Sequence, residues 1–181
     1  MKEVEVASLG LDKSSNTPVV ILREKGGERL LPIWIGPGEA SAIAMELAGI
    51  KFSRPLTHDL FTAVVRGLGG ELVRVVITKV IDNTYYASLI FSRNGEMISI
   101  DSRPSDSIAL ALRSEAPVFA DDELLELTAL EIEESDFDDE DELWKGSAES
   151  SEEPETPEEE KEELRDYLKR LNPEDFGRFN P

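Results

Sequence analysis

The feature that most constrains this chain's fold is a weak match to itself at an offset of 67 residues. Asn16-Thr17 falls on Asn83-Thr84, Leu22 on Leu89 and Ile33 on Ile100. Pro37 falls on Pro104, Ala42 and Ala44 on Ala109 and Ala111, and Phe52 on Phe119. The identities are few, but the physical pattern repeats with them, and a repeat is read before any single element.

Each half opens with a β-rich run, Val4 to Leu11 and then Leu72 to Ile81, that ends at a polar turn, Ser14-Ser15-Asn16 or Asp82-Asn83. A second run follows, Val19 to Leu22 or Tyr85 to Phe91. Gly26-Gly27 and Asn94-Gly95 then supply the positive φ that tight hairpins need. A third strand, Leu30 to Ile35 or Met97 to Ile100, leads into a helix with proline in its first turn, where the missing N–H does no harm. The expected fold is therefore α+β, with duplicated β-β-β-α units whose antiparallel meanders pack on helices.

The two helices that begin at these prolines, Ala40 to Ala48 and Ile108 to Leu112, are apolar nearly all round and rich in alanine. That is the composition of buried helices with close neighbours. Between the halves, Leu60, Phe61, Val64, Val65 and Leu68 recur at helical spacing. They predict an ordinary amphipathic helix with Thr57 as N-cap, ended by Gly67 and Gly69-Gly70. Asp121 to Leu127 reads as a short final helix.

Charge divides the chain at about residue 130. Residues 1–130 carry 13 Lys and Arg against 18 Asp and Glu, a net of −5; residues 131–181 carry 6 against 21, a net of −15. The expected organisation is a domain over residues 1–130 and an acidic, largely disordered tail over 131–181, too poor in apolar side chains to offset its ordering entropy. Near its end Leu164, Tyr167, Leu168 and Leu171 fall at i, i+3, i+4 and i+7 before Pro173. This predicts a short amphipathic helix near 158–172 that docks on a protein partner or on its own domain.

Several function classes are excluded or disfavoured. Without cysteine there is no disulfide framework and no thiolate zinc site. The N-terminus alternates like a strand where a signal peptide would carry an apolar run. No run reaches the roughly 20 residues of a membrane-spanning helix. A cytoplasmic protein without membrane contact is expected. The mildly acidic domain confines any basic patch for nucleic acid to a few residues, with Arg54, Arg66, Arg103 and Arg113 as candidates.

Chemistry is concentrated at two helix starts. Arg54-Pro55-Leu56-Thr57-His58-Asp59-Leu60 contains the only histidine in the chain, and Asp101-Ser102-Arg103-Pro104-Ser105-Asp106-Ser107 repeats the Arg-Pro pair before an aspartate. Helix N-termini hold anions and acidic side chains favourably. Phosphodiester cleavage needs an activator of the nucleophile, charge stabilisation and often metal ions held by carboxylates. His58 is a candidate base, with Asp59 and Asp106 as catalytic carboxylates and metal ligands. Arg54, Arg103 and Ser105 are candidate phosphate-binding groups. The expected cofactor is a divalent metal such as Mg²⁺, with no organic cofactor. No Asp/Glu-x-Lys sequence occurs in residues 1–130, and a single histidine rules out a paired-histidine mechanism.

These residues also carry a resemblance. Asn16-Thr17-Pro18-Val19-Val20, Leu31-Pro32-Ile33-Trp34-Ile35-Gly36, the segment Arg54 to Leu60, and Ser102-Arg103-Pro104-Ser105-Asp106 running into Ala109-Leu110-Ala111 resemble the bifunctional nuclease (BFN) domain family from residue 1 to about 130. The acidic tail with its short helix is similar to tails in bacterial members. The resemblance implies a nuclease acting on DNA and RNA, with nucleic acid as partner.

Each residue has a structural reading as well. Asp59, Asp106 and Glu39 suit the first turns of helices, and Arg54 and Arg103 can tie loops to helix carbonyls or to carboxylates of the other half. Two functions therefore stand: a metal-assisted nuclease, and a non-catalytic interaction or regulatory module working through the tail helix. The apolar surface of about 130 residues predicts a homo-oligomer, a two-fold dimer first, through strand edges or the Trp34 region.

Overall fold

The computed structural model describes residues 1–12 and 15–127; the acidic tail and its expected helix near 158–172 lie outside them. The first half contributes β1 (Lys2–Asp12), β2 (Thr17–Glu24), β3 (Leu30–Trp34) and α1 (Pro37–Leu47). Helix α2 (Thr57–Gly67) follows. The second half contributes β4 (Gly70–Ile81), β5 (Thr84–Arg93), β6 (Glu96–Ser102) and α3 (Pro104–Ser114), and β7 (Val118–Ala120) comes last. Residues 122–127 form a further helical segment. The protein is α+β, built on a mixed seven-stranded sheet.

The strand order is β3-β2-β1-β7-β4-β5-β6. Each half is an antiparallel meander, and the two meanders face outward from a short central strand. That strand, β7, pairs antiparallel with β1 and parallel with β4. The sheet is therefore not wholly antiparallel, as the sequence had led us to expect. Three residues are too few to show a period, which is why Val118–Ala120 escaped detection. Asp82-Asn83 and Asn94-Gly95 both take positive φ at two successive residues, the geometry of tight hairpin turns.

The core lies between one face of the sheet and the helices. Val20, Leu22, Leu31 and Ile33 from the first meander meet Val75, Ile77, Ala87 and Leu89 from the second under Ile43 of α1 and Ile108 of α3. Alternation along β2 and β5 places these side chains inward. Helix α3 is central, with Ile108, Ala109, Leu110 and Ala111 all buried. Helix α1 departs from expectation: only Ile43 and Met45 are fully buried, because α1 packs on α3 and β2 with one side and leaves the other partly open.

The larger departure is α2, which has no buried residue. Of its apolar stripe, Leu60, Phe61, Val64 and Leu68 are exposed, with Leu68 at 61% and Leu60 at 54%, and only Val65 packs against the core. Besides Val65, the helix docks on α3 through the polar side chains of His58 and Asp59. The amphipathic pattern was legible, but it does not say which side meets the rest of the domain. Thr57 is the first helical residue, not the cap. The N-cap position is Leu56, whose N–H donates to Asp59 Oδ2 at 2.9 Å.

Candidate functional site

The start of α3 enters through Arg103 and Pro104 and carries Asp106 in its first turn, where the unpaired N–H groups favour a carboxylate. The first turn of α2 brings His58 against it: His58 Nε2 lies 3.2 Å from Asp106 Oδ1. Arg103 folds back to donate from Nε to Asp106 Oδ2 at 2.7 Å, and its Nη1 lies 2.8 Å from Glu39 Oε1 at the start of α1. The result is a chain of groups, His58–Asp106–Arg103–Glu39, joining the first turns of three helices.

Burial pushes the Asp106 carboxyl up. Hydrogen bonds from Arg103 and His58 and the Arg103 charge outweigh that and hold it below the usual carboxylate range. An ionised Asp106 only accepts, so His58 donates to it from Nε2; in a neutral imidazole the lone pair then falls on Nδ1. His58 is thus an oriented imidazole, its side chain 17% exposed. Asp106 and its neighbour Glu39 in turn raise the Arg103 guanidinium above its ordinary value. Arg103 is 64% exposed, so its outer face is open to solvent.

Asp59 is placed elsewhere. Its Oδ1 accepts from Arg113 Nε at 2.6 Å while its Oδ2 takes the Leu56 N–H. Burial raises this carboxyl, but the Arg113 hydrogen bond, the Leu56 N–H and the Arg113 charge together bring it below the usual range. Arg113, expected in a basic surface patch, is 6% exposed. It donates to Ala109 O in its own helix and to Ala42 O in α1, so it ties α1, α2 and α3 together. Arg54 stands exposed in the loop before α2, and Arg66 is exposed on α2; neither pairs with an acid among the described residues. Ser105 is buried in the first turn of α3 at 6% exposure.

The structure therefore brings together His58, Asp106 and Arg103, and adds Glu39, which sequence reasoning had placed only at a helix start. It separates Asp59 into a second network with Arg113 and Glu46. Arg113 Nε lies 3.8 Å from Glu46 Oε2. Nothing local marks Arg113 as buried; its position seven residues after Asp106, two helical turns along the same helix, is the only signal. Among the described residues no three His, Asp or Glu side chains converge in a way that could hold a metal ion. The His58 cluster also lies outside the cleft of about 310 Å³ between α2 and the β4–β5 strands, which is lined by residues such as Phe61, Arg66, Leu72 and Phe91. An open, charged surface suits an extended ligand better than a small molecule needing enclosure.

A family model described as the bifunctional nuclease domain matches residues 20–133. An uncharacterized protein of Mycobacterium tuberculosis is 40% identical over 176 residues, which is 97% of this chain and 98% of that protein. Bifunctional nuclease 2 of Oryza sativa subsp. japonica is 30% identical over 112 residues, 60% of this chain and 34% of that protein. Bifunctional nuclease 1 of Arabidopsis thaliana is 29% identical over 110 residues, covering 59% and 34%. The chain thus spans about a third of the length of these plant proteins and nearly all of the mycobacterial one. From the match over its meanders, α2 and α3, the chain belongs to the bifunctional nuclease domain family.

Proposed function

We propose that this protein cleaves phosphodiester bonds in DNA and RNA, with the His58–Asp106–Arg103 cluster as its reactive centre. The observation that supports the reading is the contact of 3.2 Å between His58 Nε2 and Asp106 Oδ1, which orients the imidazole; as a neutral base it then accepts a proton at Nδ1. A base oriented by a carboxylate, itself held by a third group, is the arrangement that activates a weak nucleophile. His58 takes the proton from the attacking oxygen, water or a ribose hydroxyl, which bonds to phosphorus as the bond from phosphorus to the leaving sugar oxygen breaks; that oxygen takes up a proton from solvent. Arg103 and the exposed Arg54 bind the phosphate and offset its developing charge. Ser105 lies in the helix turn that presents these groups. The names of the plant relatives, which call them nucleases, support the same reading.

The divalent cation expected from the sequence, such as Mg²⁺ on Asp59 and Asp106, finds a poor fit, since both oxygens of Asp59 are taken by Arg113 and the Leu56 N–H. No step above runs through it, and Asp59 acts by holding α2 in place. A duplicated β-β-β-α unit belongs to the same reading. It makes Glu39 and Asp106 equivalent acids at two helix starts, with Arg103 between them.

The test uses highly purified full-length protein on labelled single-stranded DNA and RNA, with and without chelator. Weak cleavage of both polymers without sequence preference is expected, and Arg54→Ala should raise KM more than it lowers kcat. No cleavage of either polymer by any preparation, with or without added Mg²⁺, overturns the reading. A second reading, a non-catalytic interaction module, then takes over. It is favoured by the outward apolar stripe of α2, which no nuclease mechanism requires.

A further inference from the structure

The two edges of the sheet are differently finished. Strand β3 is five residues long and carries Pro32, the usual protection of an edge. Strand β6 has seven residues, no proline, no lysine and an unbroken register with β5. Every residue from Glu96 to Asp101 is exposed, including Met97 at 58%, Ile100 at 43% and Ile98 at 40%. Ile98 and Ile100 pair with Phe91 and Leu89, which are buried, so they share the sheet's core face and extend it past the helices. Phe61 of α2 rests on Phe91, ring centroids 6.4 Å apart, and brings the helix's outward stripe alongside.

We propose that β6 is the two-fold interface of a homodimer, its occupant the β6 strand of a second copy running antiparallel about Ser99. The backbone determines this register. The two-residue Asn94-Gly95 turn closes on the Arg93–Glu96 pair, so residues 96, 98, 100 and 102 direct their N–H and C=O groups to β5. Met97, Ser99 and Asp101 direct theirs outward. A two-fold axis at Ser99 sets Ser99 against its own copy and Met97 against Asp101 of the other chain, so that every outward group finds a partner. The same register places Ile98 opposite Ile100 of the copy on the core face, as β-branched cross-strand pairs, and sets no two like charges directly opposite. The contact is self-complementary, as a closed two-fold requires. It does not depend on the proposed nuclease activity.

The experiment combines mass and cross-linking on the full chain. Light scattering should give twice the 20.1 kDa chain mass at about 50 µM, and the melting temperature should rise with concentration. Ser99→Pro removes an outward N–H and leaves the β5 pairing intact, so it should give a folded monomer whose melting no longer depends on concentration. Because the chain has no cysteine, Ser99→Cys provides a single thiol. Paired residues of this kind lie about 5.5 Å apart at Cα, within disulfide range, so mild oxidation should give a covalent dimer. Trp34→Cys, on the opposite edge, should not cross-link. A monomer mass for the wild type, a dimer in which Ser99→Cys fails to cross-link, or cross-linking through Trp34→Cys instead would overturn the proposal.

Discussion

At the scale of single residues, two networks of ionisable groups join α2 to α3. His58 and Asp106 form one, and Asp59 and Arg113 the other. The adjacent residues His58 and Asp59 reach opposite ends of α3, one at residue 106 and one at 113. The second network has a pH signature. Asp59 is held below the usual carboxylate range, so its contribution is fully present above the unfolded value of about 3.9 and fades as pH falls through the lower folded value. Asp59→Asn should therefore cost about 1–2 kcal/mol at pH 7 and make the protein less sensitive to acid between pH 5 and 2. Thermal melts across that range check it; an unchanged acid sensitivity contradicts it. His58 and Asp106 were legible in the sequence because helix starts announce themselves through proline, threonine and acid. The Arg113 network was not, because its partners, Asp59 and Ala42 O, are 54 and 71 residues away along the chain.

At the scale of elements, the strands were the most legible part, since β-branched runs bounded by Asn and Gly turns leave few alternatives. The helices were legible as helices but not in their surroundings. Helices α1 and α3 have similar alanine-rich sequences, yet α3 lies at the centre of the domain and α1 at its margin. Equivalent substitutions should expose the difference. Ala111 is 1% exposed, so Ala111→Val should cost about 1–3 kcal/mol through overpacking. Ala44, 67 residues earlier, is only partly buried, and Ala44→Val should cost less than about 0.5 kcal/mol, the usual range for surface positions. Denaturant midpoints of the two variants check the contrast, and equal losses would contradict the picture of a central α3. Helix α2 shows the same limit of sequence reading: a 3.6-residue period reveals a stripe, but only the tertiary structure shows that the stripe faces outward.

At the scale of the whole molecule, the sheet fuses the two meanders through β7, and the helix starts from both halves converge on Arg103. There Glu39 and Asp106 share the Arg103 guanidinium while Asp106 also contacts the imidazole of His58; Arg54, of the other Arg-Pro pair, takes no part in these contacts. The unprotected β6 edge and the outward stripe of α2 give the molecule a second face, distinct from that cluster in the residues that form it. The account's central claim is that His58, oriented by Asp106, accepts the proton in phosphodiester cleavage. Its most direct test compares wild type, His58→Ala and Asp106→Asn, purified in parallel, for cleavage of labelled RNA and DNA and for melting temperature. The account predicts that each substitution slows turnover by about 10²-fold or more while the melting curve stays within a few degrees of wild type. Undiminished cleavage by both variants would contradict it.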